Sequence, residues 1–243
     1  MLLIGGASLV RGATGIAQSF NVPNIVIGLT VVAFGTSAPE LVINVTGALQ
    51  GKTDLAFGNA VGSNLANFGL VLGIAAIMSP IYLQGQVIRR EVPFLLLITA
   101  ILLVMVWDAP LSGTQALLDR GDAIILFLLF TVFVYFMVRD FISAEGDPLL
   151  VEGDNLSSKA SGNGLVNTAL LLIGLVLLVV GGEMTIDNGV AIAKIMGVSE
   201  VVIGMFVLAV GTSLPELVTS GIAAYKKETD LALGNIVGSN IFN

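Results

Sequence analysis

Apolar residues run in long blocks along this chain, and polar residues interrupt them at only a few places. Phe94–Trp107, Ala123–Val138 and Leu165–Val180, with their flanks, are long enough to cross a bilayer as helices. The blocks predict spans at 1–20, 24–48, 54–80, 91–108, 121–139, 164–196, 200–225 and from 230 onward. The segment at 164–196 is long enough to contain a break. One stretch alone reads as a linker: SAEGDPLLVEGDNLSSKASGNG, residues 143–164, polar, acidic and rich in Gly and Ser. The expected architecture is an all-α polytopic membrane protein. Residues 1–142 form a first transmembrane half, 143–164 a cytoplasmic linker, and 165–243 the start of a second half.

The pattern also repeats. GTSAPELVINVTGALQGKTDLAFGNAVGSNLAN at 35–67 returns as GTSLPELVTSGIAAYKKETDLALGNIVGSNIFN at 211–243. At a constant offset of 176, residues 5–67 and 181–243 agree at 29 of 63 positions without a gap. Five spans separate equivalent points. An odd number places the second copy upside down relative to the first, which is the inverted-topology repeat of secondary transporters. Arg89, Arg90, Arg139, Lys159, Lys226 and Lys227 fall on one side by this count, and Lys52, Arg120 and Lys194 on the other. The positive-inside rule puts the first group and the linker in the cytoplasm. A multi-pass protein of the cell (inner) membrane is expected, with the lipid bilayer as its partner. The opening MLLIGGASLV is no signal peptide; it reads as the middle of a span, so a fragment cut at both ends is expected.

Composition narrows the chemistry. The chain is 56% hydrophobic and 11% charged, well below the charged share of about 25% in soluble domains. It has no cysteine and no histidine, so disulfides, thiolate chemistry, histidine triads and His-rich zinc sites are excluded. The net charge of −7, of which the linker holds −3, says little about partners. Nothing points to an enzyme, a cofactor or a nucleic-acid partner.

The repeated Pro-Glu carries the functional signal. A proline inside a helix cannot donate to the carbonyl four residues back, so Pro39 and Pro215 predict helix breaks with bare carbonyl oxygens. Such breaks persist in a membrane only where they line a cavity. Around them stand Thr36, Ser37 and Glu40, and Thr212, Ser213 and Glu216. A carboxylate near the bilayer centre costs at least ~2.5 kcal/mol. No Lys or Arg recurs beside either motif, so a bound cation is the natural partner. Hard oxygen ligands suit calcium or sodium; magnesium, which dehydrates reluctantly, suits a dry cage less. Ser63 and Asn67, with Ser239 and Asn243, supply further oxygens. Asn59, Asn64, Asn235 and Asn240 are expected to bond helix to helix. Asp54 and Asp230 are expected to cap helices. An ion pair between Arg11 and Asp187 is a further, weaker expectation.

GTSAPE…GNAVGSNLAN and GTSLPE…GNIVGSNIFN resemble the two alpha repeats of the sodium/calcium exchanger family, within the calcium/cation antiporter superfamily. The resemblance covers the whole chain. It implies ten spans in two inverted halves, of which this chain holds about seven and a half. It also implies ion ligation by Ala33, Thr36, Ser37, Glu40, Ser63 and Asn67, and by Ala209, Thr212, Ser213, Glu216, Ser239 and Asn243, the alanines through their carbonyls. Some members carry Asp where Asn243 stands.

The expected function is exchange of calcium for sodium by alternating access at one midplane site, with the chain acting as a monomer. Crossing with the site empty would leave two charges uncompensated, which couples the fluxes. A calcium/proton or potassium-dependent antiporter is the alternative. A cation channel fits less well, because channels usually reach symmetry by oligomerising. A hydrolase would need a base for its serine; a nearby glutamate is conceivable, but no nucleophile elbow and no histidine is present.

Overall fold

The computed structural model describes residues 1–20, 22–82, 85, 87–107, 118–143, 163–197 and 209–243. Among these every regular element is helical. Helix α1 is Leu2–Ser19. Helix α2 begins as Asn24–Ile27, passes through a π-helical turn at Gly28–Val32 and ends as Ala33–Thr36. Helix α3 is Ala38–Leu49. Helix α4 runs as Thr53–Ala66, a π-turn at Asn67–Val71, and Leu72–Met78. Helix α5 joins a π-turn at Val87–Glu91 to Val92–Val106, and α6 is Arg120–Ser143. Helix α7 is Gly164–Ile195. The four-residue α8, Ala209–Thr212, precedes α9, Leu214–Tyr225, and α10, Thr229–Phe242. Ala56–Met78, Arg120–Arg139 and Gly164–Ile195 are each long and apolar enough to cross a membrane, as is the bent pair α2–α3 taken together.

Most of the expected spans have a helical counterpart, with three differences. The segment at 164–196 is one unbroken helix of 32 residues. Its Gly181-Gly182 pair lies inside it without a break; a Cβ on Gly181 would lie 3.2 Å from Leu2 and one on Gly182 3.6 Å from Pro215. Asp54 and Asp230 sit in first turns and do not cap: Lys52 and Glu228 hold the cap positions, with no side-chain cap bond. Both acids instead face the positive end of the helix dipole. No ion pair joins Arg11 to Asp187 among the described residues. Residues 144–162 of the linker and 200–208 of the seventh span lie outside the described residues.

The chain divides into two units. In the smaller, residues 83–153, Phe94 of α5 stacks on Phe133 of α6 at 5.9 Å between centroids. Arg90 pairs with the buried Glu91 and lies 5.8 Å from the Phe136 ring centre.

The larger unit, residues 1–82 and 154–243, holds both repeats. Helix α1 packs along α7, and α2 along α10. The second contact is close because glycines meet there. A Cβ on Gly234 would lie 2.6 Å from the Ile25 carbonyl oxygen, and one on Gly28 would lie 2.8 Å from that of Leu231. Helices α3 and α4, like α9 and α10, form hairpins. In the first, Lys52 N–H donates to Gly47 and Gly51 N–H to Ala48; in the second, Glu228 donates to Ala223 and Lys227 to Ala224. This is the Schellman ending, which needs a left-handed residue. Gly51 supplies it at φ 71°, and Lys227 adopts φ 65° in the same place.

Candidate functional site

The helix breaks fall where the prolines predict. Pro39 and Pro215 lie in the first turns of α3 and α9, where a missing N–H leaves no intrahelical bond unmade. The chain bends by 46° between α2 and α3, with Ser37 at the corner. Each break turns a glutamate inward: Glu40 and Glu216 stand in those first turns and are 1% and 0% exposed. Thr36, Ser37, Thr212, Ser213, Ser63, Asn67 and Ser239 are buried with them, and Asn243 is partly buried. Ala33 is buried, and its carbonyl accepts from Ser37 N–H at 3.0 Å. The backbone of Ala209 begins α8.

Hydrogen bonds join the two repeats, and they interchange under the offset of 176. Thr36 donates to Asn235 Oδ1 at 3.0 Å, and Thr212 donates to Asn59 Oδ1 at 3.4 Å. The Thr36 and Ser239 hydroxyls are 3.5 Å apart, and those of Thr212 and Ser63 are 3.3 Å apart. Asn59 Nδ2 donates to Asn44 at 2.8 Å; Asn235 Nδ2 donates to Ser220 at 3.0 Å. Each repeat's helix break is thus held by the other repeat's Asn-Ser helix. The asparagines at 59, 64, 235 and 240 all bond across helices, as expected.

The symmetry stops at the carboxylates. Glu216 Oε1 accepts from Ser37 at 3.0 Å and from Ser239 at 3.2 Å. Neither oxygen of Glu40 has a hydrogen-bond partner among the described residues. The same is true of Glu216 Oε2, Ser213 Oγ and Asn67 Oδ1. Buried polar atoms are nearly always paired. Both oxygens of Glu40, one oxygen of Glu216, a hydroxyl and an amide oxygen, all without donors, form a set of hard ligands. No cluster of three or more Asp, Glu, His or Cys side chains occurs among the described residues, so the formal charge at the site rests on the two glutamates.

The motif reading did not single out Asn44 and Ser220, which hold Asn59 and Asn235. Both are polar residues in apolar helices at the repeat offset, but the residue type changes between copies and hides the match. It also passed over Asn24, which donates to Glu228 at 2.8 Å.

Comparison with known proteins agrees with this geometry. The family model described as sodium/calcium exchanger protein matches residues 1–139 and 166–243. The inner membrane protein YrbG of Escherichia coli is 37% identical over 97% of this chain and 71% of its own length. The sodium/calcium exchanger MaX1 of Methanosarcina acetivorans is 30% identical over all of this chain and 77% of its own. Among solved structures, the sodium-calcium exchanger NCX_Mj superposes with a TM-score of 0.81 at 33% identity, covering 99% of this chain and 74% of that one. A doubled Pro-Glu break, a cross-repeat hydrogen-bond lattice and matches along both halves lead to one conclusion: this polytopic membrane protein belongs to the sodium/calcium exchanger family of cation antiporters.

Proposed function

We propose that the chain exchanges calcium for sodium across the cell (inner) membrane, by alternating access around Glu40 and Glu216. The observation that carries this reading is the set of buried oxygens without donors: both of Glu40, Oε2 of Glu216, Oγ of Ser213 and Oδ1 of Asn67. Calcium takes six to eight oxygens, and two carboxylates neutralise it; sodium accepts subsets of the same oxygens. Ala33, Thr36, Ser37, Ser63 and Asn67, with Ala209, Thr212, Ser213, Ser239 and Asn243, are the proposed neutral ligands. Calcium and sodium then compete for the same carboxylates and take turns. A site holding neither would carry two bare charges through low dielectric, so reorientation requires a cargo.

The test is radiolabelled calcium uptake into proteoliposomes carrying the full chain, driven first by an outward sodium gradient and then by a proton gradient. Uptake that follows sodium alone supports the reading. Uptake that follows protons alone transfers it to calcium/proton antiport. Uptake that needs neither counter-flux makes the protein a channel.

A further inference from the structure

Four asparagines on the two Asn-Ser helices are chained through their amides in a fixed order. Asn64 and Asn67 are one turn apart on α4, and Asn240 and Asn243 are their counterparts on α10. Asn64 Nδ2 donates to the backbone carbonyl of Asn240 at 3.2 Å, and Asn240 Nδ2 to that of Asn64 at 3.5 Å. A backbone carbonyl only accepts, so each of these amides must turn its NH2 toward it and its Oδ1 away. Those oxygens are then acceptors for the next pair. Asn67 Nδ2 donates to Asn240 Oδ1 at 2.9 Å, and Asn243 Nδ2 to Asn64 Oδ1 at 3.2 Å. The order passes on once more. With its NH2 committed, Asn67 must turn its own oxygen the other way, and that oxygen is fully buried without a donor.

We propose that Asn64 and Asn240 are positioning residues that set the amide orientation of Asn243 and Asn67, so that each presents an oxygen and no hydrogen to the transported cation. This deepens the exchanger reading and rests on it for the identity of the cation. The relay also determines which residues suit positions 67 and 243. An aspartate there would set a carboxylate oxygen against Oδ1 of Asn240 or Asn64. Neither amide can turn over to help, because each is anchored on a carbonyl. In this chain the relay is completed by neutral amides, and an aspartate at either position would have to carry a proton to donate in their place.

Simple helix glue would use the same four residues, so the test must read orientation. The full chain in detergent is assayed for equilibrium binding of calcium. Asn240→Leu frees the Asn67 amide to rotate and weakens calcium about 10-fold; Asn67→Asp alone weakens it similarly. The double variant Asn67→Asp with Asn240→Leu recovers to within about 3-fold of the original chain, because a carboxylate shows an oxygen whichever way it turns and no longer faces Oδ1. An Asn67→Asp effect of equal size in both backgrounds overturns the proposal. Should Asn240→Leu fail to fold, Asn64→Leu with Asn243→Asp repeats the cycle on the other arm. Glu40→Gln runs beside both: retained calcium binding there overturns the exchanger reading itself, whereas lost binding with no rescue in the cycles overturns the relay alone.

Discussion

Thr36 reaches across 199 residues of chain to donate its hydroxyl hydrogen to Asn235 Oδ1 at 3.0 Å, and Thr212 mirrors it with a 3.4 Å bond to Asn59. The two helix breaks are thus tied to the opposite repeat by bonds of unequal length. Valine matches threonine in shape and lacks the hydroxyl. Thr36→Val leaves a buried acceptor on Asn235 unpaired, at a cost of about 1–3 kcal/mol. Thr212→Val costs less, because it removes a longer bond. Thermal unfolding in detergent, in the presence of a calcium chelator, ranks the pair; equal melting temperatures would contradict the inequality.

The glutamates differ in the same direct way. Glu216 is held by Ser37 and Ser239, while Glu40 has no donor. In chelator and sodium-free buffer, Glu40→Gln removes a buried carboxyl without a donor and stabilises the protein by about 1–3 kcal/mol. Glu216→Gln replaces a carboxyl already satisfied at Oε1 and gains less. Both variants lose sodium-driven calcium uptake. A Glu40→Gln protein less stable than its parent in chelator would refute this account.

Lys227 occupies the left-handed position that Gly51 fills in the other hairpin. A residue with a Cβ is strained there, by about 1–2 kcal/mol. Lys227→Gly is expected to raise stability by about 0.5–1 kcal/mol, read as a higher melting temperature with calcium uptake retained. Gly51→Lys runs the same change in reverse and lowers it.

Close approach of α2 and α10 depends on Gly234. A Cβ there meets the Ile25 carbonyl at 2.6 Å and Leu29 N at 2.9 Å, both backbone atoms that cannot swing aside. Gly234→Ala is expected to cost about 1–3 kcal/mol, and more if α2 cannot shift. Gly73→Ala, with nothing within 4 Å of the added carbon, is the matched helical control and does not lower the melting temperature.

The repeat, the proline breaks and the inward glutamates were legible because each depends on residues that return unchanged at a fixed offset. Pro39 and Glu40 carry their consequences locally: the ring prevents a continuous helix, and the carboxylate demands a partner wherever it is buried. Other features depend on pairs distant in sequence, where no local rule applies. Asn44 and Ser220 do the same work with different side chains, so the offset does not reveal them. The unequal bonding of Glu40 and Glu216 arises between identical motifs and has no sequence signal at all. The close neighbours of Gly181 and Gly182 in α7, Leu2 and Pro215, belong to distant parts of the chain and meet them only once the helices are assembled. The expected caps at Asp54 and Asp230 fell two residues past the cap positions, which Lys52 and Glu228 hold at the ends of the hairpin turns.

Two carboxylates with only neutral oxygens around them also decide how membrane voltage acts on the protein. On the proposed reading, the site carries two negative charges, so a single calcium ion makes the moving assembly electrically neutral. Reorientation with calcium bound then does no work against the transmembrane potential. Each net charge carried across is worth about 2.3 kcal/mol per 100 mV. Two sodium ions also give a neutral assembly, whereas three carry one positive charge through the field. Any current during exchange therefore arises in the sodium-loaded half of the cycle, and its size counts the sodium ions.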